Sequence, residues 1–465
     1  MICLAALLLR LFTIAQSPTF APEAYETMRQ VEHIRETGLP LVNDPLSAQS
    51  LRPLPLFPYL VAFGTLFMPT NLAYALIPNI LAVLLHAAIF FLALELTNNR
   101  SLAIIAAIGS VFVPNYLTLT TLTVSSLSLA IPLLFFILTL FIKLRKSKVH
   151  RGALLALTIA LLASHPISLL LAVVLLLALI LSTVRRVSGL AIQYEYAVFA
   201  TILIVWFHLL FYRDIILLHG LAAIKGNLPA ALAPQIYGSP TLAAIGVTVG
   251  VVPLALALYA GYREGVAKHP GIQTNIALAA ATILGITLKL LPTAIGATLF
   301  ACACIPLAAV GLQHLRTYER TLHVRWITVL GISALVITFM LTNLLATVVS
   351  VGSITESAIS DDAIKAARWI QENSLPQSVV LADPIIANMI MLEANRAVFI
   401  DTKYTGEVDA NERYDLSETI LRDGRYPRNS RTAKIDYIIL KEPIRDDCLN
   451  TVYNKEYSVQ KTLCR

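Results

Sequence analysis

The side chains able to do chemistry are few and far apart in this chain, because most of it is apolar. Two carboxylates stand out in a polar stretch near the N-terminus, residues 20–59: Glu23, at the start of a helical pattern, and Asp44, in Asn43-Asp44-Pro45. A carboxylate can act as a general base. Each also has a plainer reading, Glu23 as a favourable charge at the positive end of a helix dipole and Asp44 as a turn starter before proline. Isolated cations form the second group. Lys289 ends an apolar run just before Leu291-Pro292, Arg52, Arg213 and Lys225 fall in polar connections, and His165 stands in Ser164-His165-Pro166. A cation among apolar residues either neutralises an anionic ligand or snorkels to a membrane interface. His86, in mid-helix, and Glu95, near Arg100, read as local hydrogen-bond and ion-pair formers. No phosphate-binding glycine loop, soluble-cofactor fingerprint, Cys/His metal spacing or nucleophile elbow occurs.

Composition says which elements must position these residues. The chain has 465 residues, 57% hydrophobic and only 14% charged, with a mean hydropathy of +0.73. Soluble domains carry about 25% charged residues, so this is an α-helical polytopic membrane protein. The net charge of +7 does not point to nucleic acid, because Lys and Arg sit in short loops between apolar runs, where the positive-inside rule places them. Membrane lipid is the expected partner. Residues 1–16 lack a basic n-region and a small-residue cleavage site, which makes them a first transmembrane helix rather than a signal peptide, although slightly short of the roughly 20 residues a span needs. Arg10 within it is expected to snorkel toward an interface.

The stretch 20–59 interrupts this pattern. Pro22 suits a first helical position, and Gly38 with Pro40 is a stop signal; between them Ala24, Met28, Val31 and Ile34 make one apolar face. Such a helix lies along a membrane surface rather than crossing it. Arg52-Pro53-Leu54-Pro55-Leu56-Phe57 then makes a proline-stiffened return. Beyond it, apolar runs alternate with basic clusters at 143–151, Arg185-Arg186, Arg263 with Lys268, and Arg316 to Arg325. Placing those clusters in the cytoplasm gives about eleven transmembrane helices. The N-terminus is then cytoplasmic, residues 17–70 form a large external loop with 54–69 inside it or dipping into the bilayer, and His165 marks an outer turn.

Composition shifts again near residue 353. Ser360-Asp361-Asp362 caps a helix, and the short apolar strands SVVLA, RAVFI and IDYIIL alternate with helical stretches. This predicts a transmembrane domain over 1–352 and a small extracytoplasmic α/β domain with a largely parallel sheet over 353–465. Cys448 and Cys464 flank its last segment; outside the cell they are free to form a disulfide. Cys3, Cys302 and Cys304 lie in apolar spans as packing residues.

A first helix ending in LLLRL, followed by PEAYETMRQVEHIRETGLP and NDPLS, resembles the GT-C superfamily of membrane glycosyltransferases. The nearest look is to archaeal oligosaccharyltransferase catalytic subunits and protein O-mannosyltransferases. WIQENSLPQSVVLADPIIANMIMLEANRAVFID is similar to the segment that leads into their WWDYG signature. The resemblance implies transfer of a sugar from a polyprenyl-phosphate donor to a lipid or protein acceptor on the extracytoplasmic face. On that reading Glu23 and Asp44 are the catalytic carboxylates, and Lys289, Arg52, His165, Arg213 and Lys225 contact substrate. The acidic motifs are degenerate. The first acidic pair reads Ala21-Pro22-Glu23, the loop 114–126 holds no carboxylate, and the WWDYG position keeps only Asp383. A divalent cation prefers several oxygen ligands, so a metal is not expected to be essential. A GT-C protein that has lost catalysis and binds lipid-linked sugar or a partner is the alternative. A transporter is less favoured, since no internal repeat of helical halves shows.

Overall fold

The structure is a computed structural model. It describes residues 1–42, 44–47, 54–144, 149–186, 190–238, 241–264, 270–322, 325–402, 404, 409–424, 426 and 434–463; for 149, 221, 224, 242–244, 247, 264, 270, 318–322, 325–332, 335–336, 339–340 and 343 it describes the backbone alone. Helix α1 (Ile2–Ala15) leads into α2 (Pro22–Thr37) and the short apolar α3 (Leu56–Gly64). The apolar α4 (Thr70–Thr97), α5 (Arg100–Val111), α6 (Pro114–Thr120), α7 (Leu127–Lys143), α8 (Val149–Ser164), α9 (Ser168–Val184) and α10 (Ala191–Phe211) follow. The chain then passes through α11 (Arg213–His219), a 3₁₀ turn (Gly220–Lys225) and α12 (Ala233–Ile236). Next come α13 (Leu242–Val249), α14 (Val251–Glu264), α15 (Pro270–Thr287), α16 (Thr293–Leu322) and α17 (Arg325–Glu356).

Among the described residues, three helices are long and apolar enough to cross a membrane: Thr70–Thr97, Ala191–Phe211 and the Thr293–Thr317 part of α16. The expected run 101–118 is instead α5 and α6, bent by 56° where Pro114 removes a backbone donor. The expected run 240–260 is broken at Gly250, whose φ of 83° puts it in the left-handed region. Residues 54–69 hold only nine-residue α3, packed on α2 and α4, which is not a span. Polar side chains inside the bundle pair across helices, as an apolar solvent requires: Gln193 Nε2 donates to Phe141 O (2.9 Å) and Asn275 Nδ2 to Ala303 O (2.9 Å). His86 bonds Ser110 of α5 at 2.9 Å, and Glu95 pairs with Lys143 at 3.7 Å rather than with Arg100.

The C-terminal segment comprises α18 (Asp361–Asn373), α19 (Pro384–Glu393) and α20 (Ala410–Asp423) with β1 (Val379–Leu381), β2 (Ala397–Val398), β3 (Tyr437–Leu440), β4 (Leu449–Asn454) and β5 (Ser458–Thr462). Sheet order is β2-β1-β3-β5-β4. The three strands expected from sequence are the parallel ones, whereas β4 and β5 form an antiparallel hairpin on the edge. Ser360 accepts from the Ala363 N–H as the expected cap of α18. Arg396, 6% exposed, donates to the carbonyls of Gln371, Ser374, Ala394 and Asn395, where two helices end. Cys448 is disulfide-bonded and buried; Cys464 lies outside the described residues.

Hydrogen bonds fasten this α/β domain to one face of the bundle at several places, two of which fix its position. Leu46 O accepts from the Val398 N–H (3.1 Å), and Asn227 Nδ2 donates to Tyr404 O (2.9 Å). The second places the C-terminal end of α10 on that face. The N-terminal end of α10 lies roughly 31 Å away at 1.5 Å per residue, with the end of α9 that joins it.

Candidate functional site

Helix α2 begins at a three-way junction. The Ala21 N–H donates to Leu122 O (3.1 Å), Phe20 O accepts from the Ile359 N–H (3.1 Å), and Thr19 Oγ1 donates to Ile359 O. The start of the polar stretch is thus clamped between the α6–α7 link and the first turn of the α/β domain. Pro22 occupies the first helical position, and Gly38, in the left-handed conformation, ends the helix with its N–H on Ile34 O. Ala24, Tyr25, Met28, Val31 and Ile34 are buried. The apolar face expected to rest on a membrane surface is covered instead by α3 and α19. Burial, reinforced by the nearby Glu393 carboxylate, pushes the Tyr25 phenol up to about 12.

Glu23 stands on the first turn of α2 and is exposed, with no hydrogen bond or ion pair among the described residues. Asp44 is differently placed. Its carboxylate pairs with Arg29 of α2, its Oδ1 accepts from the Leu46 N–H (3.0 Å), and it is 10% exposed. Arg29 also reaches the Met391 sulfur of α19, and Ser47 donates to Asp401 (2.8 Å). Asp44 therefore ties the loop to α2 and to the domain.

The candidate substrate-contacting residues among those described sit at helix ends and turns. Arg213 follows Tyr212, whose ring stacks on His208 at 5.6 Å; His208 Nε2 meets Ser168 Oγ at 2.7 Å, and Ser168 also bonds His165 O. His165 Nδ1 accepts from the Ile167 N–H (3.0 Å). His165 is thus tied through Ser168 to His208, a residue not singled out from sequence because it sits in an apolar run. Lys225 is exposed at the end of the 3₁₀ turn, and Lys289, exposed with φ 55°, follows α15. None of these contacts Glu23 among the described residues, and Arg52 lies outside them.

Arg10 differs most from expectation. Rather than snorkelling it is 1% exposed, donating to Thr120 Oγ1 (2.9 Å), Asn79 Oδ1 (3.2 Å) and Thr121 Oγ1 (3.4 Å), with its guanidinium 5.0 Å from the Tyr116 ring centroid. Nε and Nη2 have no hydrogen-bond partner among the described residues. A buried cation needs such donors' partners to offset desolvation. The result is a brace on the 120–122 turn, whose next carbonyl holds Ala21.

Known folds bear directly on this arrangement. The chain matches no family model and no curated protein. The oligosaccharyltransferase of Archaeoglobus fulgidus in its apo form is similar, with a TM-score of 0.62 at 13% identity over 94% of this chain and 69% of that one. Archaeal oligosaccharyltransferase AglB from the same organism, in complex with an inhibitory peptide and a dolichol-phosphate, gives 0.59 at 13% over 94% and 69%. ArnT from Cupriavidus metallidurans, bound to undecaprenyl phosphate, gives 0.60 at 11% over 99% and 97%. The chain has the GT-C fold.

Identity this low speaks to fold alone, and the site must be read from its own residues. The two segments where the GT-C resemblance implies acids, 21–23 and 114–126, do meet, at the Ala21–Leu122 hydrogen bond. Glu23 is the carboxylate they contribute. Asp383 is the N-cap of α19, accepting from the Ile385 N–H (2.9 Å). No group of three or more His, Cys, Asp or Glu disposed to hold a metal exists among the described residues.

Proposed function

We propose that this chain is a multi-pass membrane glycosyltransferase that moves a sugar from a polyprenyl-phosphate donor to a lipid or protein acceptor. The observation that carries this reading is Glu23 at the α2 N-terminus, exposed and without a partner among the described residues, held where two GT-C loops converge. Support for the donor class comes from the GT-C structures bound to dolichol-phosphate and undecaprenyl phosphate. In the proposed reaction Glu23 takes the proton of the acceptor hydroxyl, whose oxygen forms the new bond to the sugar C1. The C1–O bond to the lipid phosphate breaks, and the leaving phosphate is neutralised by Lys289, Arg213 and Lys225, with His165 contacting the substrate. Residues 1–352 form the transmembrane domain, and 353–465 with the loop 17–70 lie outside the cell, the N-terminus inside.

Glu23→Gln keeps size and helix start while removing the base. It should abolish sugar transfer from a polyprenyl-phosphate donor in reconstituted vesicles, with the unfolding temperature unchanged. A transfer rate equal to wild type sinks the assignment.

A second reading has a specific observation behind it. Ala21 stands where the GT-C resemblance implies an acid, and Asp44 is held by Arg29. A non-catalytic protein that binds lipid-linked sugar would retain donor binding and show no transfer in the wild type.

A further inference from the structure

A cavity of about 420 Å³ opens on the flank of the bundle, between α9, α14, α15 and α16. Its volume falls in the ~300–1,000 Å³ range of small-molecule sites. The shaft is apolar, lined by Leu254, Ala280, Ile283 and Phe300, and its polar groups collect at one end, Arg185 and Gln273. Gln273 is 6% exposed; its Oε1 accepts from Ser182 Oγ (2.9 Å), while its buried Nε2 has no hydrogen-bond partner among the described residues. Arg185, exposed at the C-terminus of α9, makes no ion pair among the described residues. From Gln273 to Ile283 the wall along α15 is roughly 15 Å long. A buried amide donor without an acceptor is costly unless a ligand supplies one.

We infer that this cavity binds an anionic phospholipid, the acyl chain in the shaft, the phosphate at Arg185 and an ester oxygen at Gln273 Nε2. The polar end lies on the face opposite the α/β domain, because α9 and α10 join there. A donor lipid seated here would hold its phosphate about the length of α10, roughly 31 Å, from the face of Glu23. The occupant is therefore a resident lipid rather than the donor, and the inference stands apart from the transferase reading.

Native mass spectrometry of the full chain in detergent tests this, with phosphatidylglycerol, phosphatidylcholine and undecaprenyl phosphate titrated separately and in competition. Phosphatidylglycerol should bind at least about ten-fold more tightly than phosphatidylcholine, the worth of one charge-assisted contact. Arg185→Gln should erase that preference. Ala280→Phe, at an exposed position on the shaft wall, should lower phosphatidylglycerol occupancy at unchanged unfolding temperature; if it does not fold, Gln273→Leu serves as the second variant, with the same loss expected. Equal binding of the two phospholipids, undiminished occupancy in the variant, or displacement of phosphatidylglycerol by undecaprenyl phosphate overturns the inference.

Discussion

At the residue scale, the informative contrast is between charges of one type in different settings. Glu23 and Asp44 read alike in sequence, yet one has no partner among the described residues and the other is bound to Arg29. Lys289 is exposed at a helix end, where a phosphate can reach it. Lys289→Ala should weaken binding of a polyprenyl-phosphate donor with little effect on folding, measured by donor titration; equal affinity removes Lys289 from the site. Glu32 carries a testable pH dependence. Burial raises its carboxyl pKa, partly opposed by Arg35 and assisted by Glu36 and Glu393. Because the folded value lies above the unfolded one, its contribution to stability is fully present below the ordinary carboxylate range. That contribution is lost as pH rises through the raised value. Glu32→Gln should flatten that part of the stability profile in unfolding scans between pH 4 and 7 (about the range set by carboxylate values), and an unchanged slope refutes the assignment.

At the element scale, α2 was legible because proline, glycine and a four-residue apolar spacing all mark the same boundaries. What covers its apolar stripe was not, since α3 and α19 come from distant segments. The hairpin of β4 and β5 escaped sequence reading for a different reason: LNTVYN and SVQKT carry too few apolar residues to show an alternation. Their pairing is set by β3 alongside. Helix contacts inside the bundle depend on small residues. At Gly311 of α16 an added Cβ would lie 2.4 Å from Leu256 O of α14, whereas at Gly152 of α8 it would meet nothing within 4 Å. Gly311→Ala is therefore expected to destabilise by about 1–3 kcal/mol, and Gly152→Ala to be neutral or to stabilise by about 0.4–1 kcal/mol. Thermal unfolding in detergent checks both; matching shifts for the two variants contradict the packing argument.

At the scale of the whole molecule, the first loop and the C-terminal domain act as one unit on one face. The clasp runs from α2 through Arg29 to Asp44 and Met391, and through Ser47 to Asp401. Its charges are about nine-tenths buried, so removing one partner leaves the other uncompensated. Arg29→Met and Asp44→Asn should each cost about 3–5 kcal/mol. The double variant should cost less than their sum by about 1–3 kcal/mol, and each single variant should expose the domain to limited proteolysis. Strict additivity shows that the pair contributes no coupling.

The sequence by itself determined the membrane class, the exceptional polar stretch, the boundaries of α2 and the three parallel strands. Each of these depends on composition or on spacing within a few residues, which the chain carries locally. Only the tertiary structure decided that Arg10 is buried against Asn79, Thr120 and Thr121, that Asp44 is paired, and that His165 and His208 are joined through Ser168. Those outcomes join residues from tens to hundreds of positions apart, and a charge in an apolar chain takes whichever partner packing brings within hydrogen-bond reach.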